Sequence, residues 1–255
     1  MMDGRYQEFR PFTVSGHEKL SLGLGTLYAK NTGDTLKLFA VSNHTTALLG
    51  GGPLNVDYEF VEMHFHWGEV KDDEFIGGSE HSIDGHKYPI ELHMVHRNIH
   101  DEEVAEALEH ENGLTVLGFK FQVVGDDAPY HSAMDTLADI ALNFLTNPGD
   151  KFSQLDFKRE YKKGPDVNVV NFLPVLMDEY FHYHGSLTTG GCEESVNWVV
   201  FKNPLAIKVT SILYIIYHHN FDLQESHLRA FQSLLNKKGE NIANNFRQTQ
   251  LVNER

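Results

Sequence analysis

The feature that most constrains this chain is an alternation. In Glu62-Met63-His64-Phe65-His66-Trp67-Gly68, ionisable and apolar side chains take turns, and Glu91-Leu92-His93-Met94-Val95-His96 answers with a similar pattern. A period of two marks a strand, whose side chains point to opposite faces in turn. Glu62, His64 and His66 therefore share one face, with Met63, Phe65 and Trp67 on the other. In the second stretch Glu91, His93 and Val95 share a face, opposite Leu92, Met94 and His96. As sheet neighbours, the two strands crowd five ionisable groups into one patch. Burying such a patch is costly without a compensating partner, and a divalent metal is the simplest one.

Three imidazoles with no cysteine suit zinc, copper, nickel or iron better than calcium or magnesium. Three protein ligands on a tetrahedral ion leave one position for water, which is the catalytic arrangement. Glu62 and Glu91 each stand two residues before a histidine on the same face, placed to accept from its ring and fix its tautomer. His-x-His alone recurs by chance in a chain with 16 histidines. The Glu-x-His pair repeated on both strands is the more specific signal.

A chain of 255 residues fits one large β or α/β domain. The formal net charge of −15 argues against nucleic acid or an anionic membrane as partner, and reads as a solvated acidic surface. The single cysteine, Cys192, cannot form an internal disulfide. No stretch reaches the ~20 apolar residues of a membrane helix. Met1-Met2-Asp3-Gly4-Arg5 leads into no apolar signal region. The expectation is a cytoplasmic protein, with secretion left open if the N-terminus is incomplete. Asn43-His44-Thr45 fits a glycosylation sequon.

Residues 1–11 read as a loose polar segment and 12–255 as the domain. Leu20–Tyr28, Thr35–Val41 and Leu54–Trp67 read as strands, Glu69–Gly78 as an acidic loop, and Leu114–Val124 as a further strand. A helix is expected to open at Asp101-Glu102-Glu103, with Asp101 as N-cap and Val104, Ala107 and Leu108 inward. Ser132–Leu145 and Leu223–Asn236 have helical apolar spacing, and Lys158–Lys163 reads as a solvated basic loop. Strands dominate. The fold class expected is predominantly β (α+β): one domain on a large twisted, mostly antiparallel central sheet with short surface helices.

His64-Phe65-His66-Trp67-Gly68, Gly78-Ser79-Glu80-His81-Ser82-Ile83-Asp84 and Glu91-Leu92-His93-Met94-Val95-His96, in that order, closely resemble the α-carbonic anhydrases. Gly51-Gly52-Pro53-Leu54, Gly185-Ser186-Leu187-Thr188-Thr189 and Asn245-Phe246-Arg247 fit the same pattern. The resemblance implies zinc on His64, His66 and His93, with Glu62, Glu91 and Asn245 behind the ligands. It implies reversible hydration of carbon dioxide to bicarbonate and a proton by a zinc-bound hydroxide. It places Val95, Val116, Leu187, Val196 and Trp198 around the carbon dioxide niche. Thr188 then orients the hydroxide while donating to Glu80, and Thr189 contacts bicarbonate. The competing functions are a non-catalytic binding module of the same fold and a zinc esterase.

Several positions depart from the family pattern. Glu62 stands where glutamine is usual, which predicts a higher pKa for the metal's water. Asp34 occupies the place of a proton-shuttling histidine. Arg97 replaces a common tryptophan, and Gly190-Gly191 replaces Pro-Pro, loosening the loop that carries Thr188. A family arm before Phe12 is short, and the β-prone run Lys208–Tyr217 lies in an insertion near 208–222. Oligomeric state is not legible.

Overall fold

The computed structural model describes residues 9–41, 46–71, 74–75, 77–124, 132–154, 156, 166–208 and 227–250. Its strands are β1 (Arg10–Ser15), β2 (Leu27–Asn31), β3 (Leu36–Ala40), β4 (Leu48–Gly52), β5 (Tyr58–Trp67), β6 (Val70–Lys71), β7 (Glu74–Phe75), β8 (Ile90–Asn98), β9 (Leu114–Val124), β10 (Lys151–Phe152), β11 (Tyr180–Gly185), β12 (Val196–Phe201) and β13 (Leu205–Lys208). The helices are α1 (Val104–Ala107), α2 (Ala133–Phe144) and α3 (His227–Gln232).

Among the described residues eleven strands form one sheet, whose main path runs β10-β2-β3-β5-β8-β9-β12-β11. β4 joins β5 and carries β1, while β13 extends β9. Pairing is antiparallel except where β12 and β13 run parallel to β9. The fold is thus a predominantly β single sheet, mixed but mostly antiparallel, with short helices on it.

The alternation separates two apolar layers. Met63, Phe65 and Trp67 of β5 point with Leu92, Met94, Leu117 and Phe119 into the larger core. Leu137, Ile140 and Ala141 of α2 and Phe231 of α3 close it. Phe231 stacks on Phe65 and Trp67 at centroid distances of 5.2 and 5.4 Å. Aromatic pairs of this kind add about 0.5–1.5 kcal/mol each beyond area burial. On the opposite face a smaller layer holds Val95, Leu114, Val116, Val196, Trp198 and Val200, with Ala107 of α1 buried against it. The histidines face this second layer.

Local chemistry moves several expected boundaries. β2 starts at Leu27, not Leu20. Leu24 N–H donates to Ser21 Oγ and Ser21 N–H to Thr26 Oγ1, so side chains take the groups a ladder needs. β5 starts at Tyr58, since Leu54 N–H closes a turn on Gly51 O. The expected loop Glu69–Gly78 contains the two-residue ribbon β6–β7. Asp101 does not cap a helix: its Oδ1 accepts from His110 Nε2 at 2.9 Å, and α1 is a single turn entered from Glu103 without a side-chain cap. β1 begins at Arg10, inside the segment expected to be loose. Residues 1–8, the sequon Asn43-His44-Thr45, the run Lys158–Lys163 and the insertion beyond Lys208 lie outside the described residues.

Candidate metal centre

The β5–β8 register sets His64 directly opposite His93, His66 opposite Glu91 and Glu62 opposite Val95. One side of the pair therefore collects the polar groups named above. His64, His66 and His93 each offer a ring nitrogen, and these atoms lie within 4.8 Å of one another. Metal fit depends on which nitrogens are free.

The outer nitrogens are all engaged. His64 Nδ1 lies 2.7 Å from Glu62 Oε1, His66 Nδ1 lies 2.8 Å from the carbonyl of Asn245, and His93 Nε2 lies 2.8 Å from Glu91 Oε1. Each partner is a pure acceptor, so each outer nitrogen carries the proton and each inner one is left as a lone pair. Burial holds His64 and His66 below the usual histidine range, the latter at about 4 with the His93 ring adding to it. His66 Nε2 and His93 Nδ1 then face each other at 3.1 Å without a proton between them. Glu80 Oε2 lies 3.5 and 3.8 Å from the same two nitrogens, buried and with no hydrogen-bond donor. Acceptors that converge this closely fit a cation. Two nitrogens on a tetrahedral ion at about 2.0–2.1 Å stand about 3.4 Å apart.

The carboxylates are held ionised. Burial alone would raise Glu62, but the His64 ring and the Lys37 ammonium bring it to about 2. Burial likewise opposes Glu91, yet its contacts with His81 and His93 keep it well below the usual range. Glu80 is lowered against burial by His66 and His93, by the Arg247 N–H at 2.6 Å and by the Thr188 hydroxyl.

Strand positions bring the expected apolar residues to this face. Val95, Val116, Val196 and Trp198 form one buried cluster with Leu187 packed on it. Trp198 lies against the His93 ring at 4.7 Å and donates its Nε1–H to the Ser186 carbonyl at 3.0 Å. Thr189 is exposed in the turn after β11. Asn245 bridges the far side: Trp67 N–H donates to its Oδ1, and its Nδ2 donates to the carbonyls of Asp34 and Phe65. Asp34 itself lies on the surface, 3.8 Å from Lys237 Nζ.

A chain that fits this geometry has relatives. The model of the eukaryotic-type carbonic anhydrase family matches residues 4–213. The chain belongs to the eukaryotic-type carbonic anhydrase family. It is 32% identical over 181 residues to carbonic anhydrase 3 of Sus scrofa, covering 69% of this chain and 60% of that protein. It is 31% identical over 219 residues to the mitochondrial carbonic anhydrase 5A of Homo sapiens, covering 83% of this chain and 65% of that protein. The matched part thus spans less than two thirds of either relative.

Three contributors to this candidate site were not singled out from sequence. His81 Nδ1 donates to Glu91 Oε1 at 2.5 Å, its backbone N–H donates to Oε2 at 2.8 Å, and its Nε2 accepts from Tyr183 Oη at 2.7 Å. His81 follows Glu80 in a stretch already quoted, so it was within reach. Tyr183 and Lys37 carry no local signal, because only sheet pairing brings them in.

Proposed function

We propose that this chain is a zinc-dependent carbonic anhydrase, interconverting carbon dioxide and bicarbonate. The observation that carries the proposal is the 3.1 Å approach of His66 Nε2 to His93 Nδ1, two lone pairs fixed inward by acceptors behind both rings. Neutral imidazoles in a set of three favour zinc among the metals that the donors accept. His64 Nε2, His66 Nε2 and His93 Nδ1 would hold it. The metal supplies a water made acidic enough to act as hydroxide near neutral pH.

The chain's own residues do the rest. Glu62, Glu91 and the Asn245 carbonyl fix the three rings and their tautomers. Glu80 is buried and anionic, so it accepts a hydrogen bond from the Thr188 hydroxyl and leaves the Thr188 oxygen free to accept one from the centre. That arrangement orients a reacting lone pair toward carbon. Val95, Val116, Leu187, Val196 and Trp198 offer carbon dioxide an apolar wall that water does not compete for. Thr189, next in the chain, would contact bicarbonate as it leaves.

Metal analysis paired with a carbon dioxide hydration assay tests the reading. One zinc per chain and hydration that chelation removes are expected. Metal without hydration points to a binding module. Ester cleavage without hydration points to a zinc esterase. Protein that takes up no metal ends the proposal.

A further inference from the structure

Lys120 is a buried charge that the reaction proposed above leaves unused. Leu114, Val116, Gly118 and Lys120 alternate onto the metal-facing side of β9. Val116 and Leu114 belong to the apolar layer there, and Lys120 is 0% exposed beside them. Its Nζ donates to the Phe201 carbonyl and lies 5.8 Å from the centroid of the Tyr88 ring. A lysine rarely gives up water entirely unless it is paired. An apolar side chain of that volume would fill the same space without the desolvation cost.

The β8–β9 register brings in a charge of opposite sign, because Lys120 stands directly across from Glu91 on the neighbouring strand. Glu91 is also 0% exposed and carries the carboxylate that holds both His93 and His81. Gly118 leaves it room: a Cβ there would meet Glu91 Oε1 at 3.3 Å. The groups facing Lys120 are Glu91 from β8, Tyr88 just before it, and the Phe201 carbonyl from β12. Of these only Glu91 is charged. Burial pulls the Lys120 amine down to about 8, with Glu91 opposing, so the ammonium form persists at neutral pH.

We propose that Lys120 is a positioning residue of the metal centre, the buried counter-charge that tempers Glu91 and, through the Glu91–His93 hydrogen bond, sets the pH at which the centre becomes active. The inference rests on the zinc reading. With no positive charge behind it, Glu91 draws harder on the His93 ring proton. His93 Nδ1 becomes a stronger donor, the metal is held more tightly, and it acidifies water less.

The test compares zinc-loaded full-length protein with Lys120→Met. The midpoint of the pH–rate profile should rise by about one unit, tenfold in the active fraction at fixed pH. Chelator competition should show tighter zinc. Both changes should vanish when Lys120→Met is made in a Glu91→Gln background. An unmoved midpoint with unmoved zinc affinity overturns the proposal, as does a shift that persists without Glu91. If the unaltered protein binds zinc but hydrates no carbon dioxide, the reaction assigned above fails alone. The visible spectrum of the cobalt-substituted protein against pH, with zinc competition, still decides the role of Lys120. Should Lys120→Met not fold, the double variant is the arbiter. Folded, it shows that the lysine is needed only while Glu91 is charged. Unfolded, it assigns Lys120 to packing and the proposal falls.

Discussion

Lys37 Nζ stands 3.3 Å from Glu62 Oε2, while Glu62 Oε1 holds the His64 ring at 2.7 Å. The β3–β5 register sets Lys37 beside His64. The carboxylate at 62, where glutamine is usual in the resemblance, is therefore not an uncompensated charge behind a ligand. The expectation that it raises the pKa of the metal's water loses much of its force once Lys37 is counted. Lys37→Met should move the midpoint of the pH–rate profile upward. The shift should be under about one unit, because the lysine side chain is 30% exposed and solvent screens it. An upward shift of several units, or a downward one, would contradict this account of the pair.

Removing His93 tests the ligand set. Its Nδ1 is one of three inward lone pairs, and Glu91 stays behind as a buried anion when the ring is gone. His93→Ala should lose tight zinc, read as metal per chain after dialysis against a chelator. Stoichiometric zinc in that variant would sink the assignment. Chelating the unaltered protein should lower its Tm, since a ligand that binds only the folded state stabilises it.

Strand alternation made much of this molecule legible. Glu62, His64, His66, Glu91 and His93 had to share a face once β5 and β8 paired, and β9 emerges from Leu114 to Val124 as read. Charge compensation was not legible. Lys37 and Lys120 lie far along the chain from the groups they face, His64 and Glu91, and nothing local in their stretches marks them; the β3–β5 and β8–β9 registers bring them in. Asp101 was misread because an acid before an apolar run has two uses. Here the His110 side chain took it before a helix end could. Ser21 and Thr26 similarly outcompeted the ladder in a stretch whose residues suit a strand.

A second histidine pair sits on the other face of β8. His17 Nε2 and His96 Nε2 are 3.0 Å apart, and both side chains are buried. Burial lowers both pKa values, and for His96 the neighbouring His17 lowers it further. Unfolded histidine titrates near 6.5, so below that pH the unfolded chain binds protons that the folded one refuses. Stability is then full above about pH 6.5 and falls with acidification, by up to about 1.4 kcal/mol per pH unit for each such histidine. Urea midpoints at neutral and mildly acid pH should converge in His96→Gln relative to the unaltered protein. Equal pH dependence in the two proteins refutes the role of the pair.

The turn that follows Thr188 is built on left-handed backbone. Gly190 has φ +67° and Cys192 φ +56°. Proline is fixed near −65° and cannot occupy Gly190 in this conformation. The glycines thus do more than loosen the loop; they permit a shape that Pro-Pro forbids. Cys192→Gly should stabilise by about 1 kcal/mol, because a side chain in that region costs about that much. Gly190→Pro should rebuild the turn and lower kcat/KM by displacing Thr188 and Thr189. Denaturant titration and steady-state rates check the two.

Proton export is the last step that the site must manage. In the proposed reaction each hydration leaves a proton at the centre, and a relay works best with a pKa near the working pH. Histidine meets that condition and an aspartate, with a reference value of about 3.9, does not. Asp34 stands at the expected relay position, its carbonyl tied to Asn245 Nδ2 at 3.1 Å and its carboxylate 3.8 Å from Lys237 Nζ. Its side chain is 79% exposed, so dissolved buffer meets it directly. Turnover should therefore be limited by proton export. Added imidazole should raise kcat severalfold and leave kcat/KM, which reports the carbon dioxide step, nearly unchanged. Asp34→His should raise kcat in the absence of added buffer and blunt the response to imidazole. His44, the other nearby histidine in sequence, lies outside the described residues. A His44→Ala variant with unchanged buffer dependence separates it from the relay. If kcat in the unaltered protein ignores imidazole, chemistry itself or a different relay sets the rate, and the reading of Asp34 is wrong.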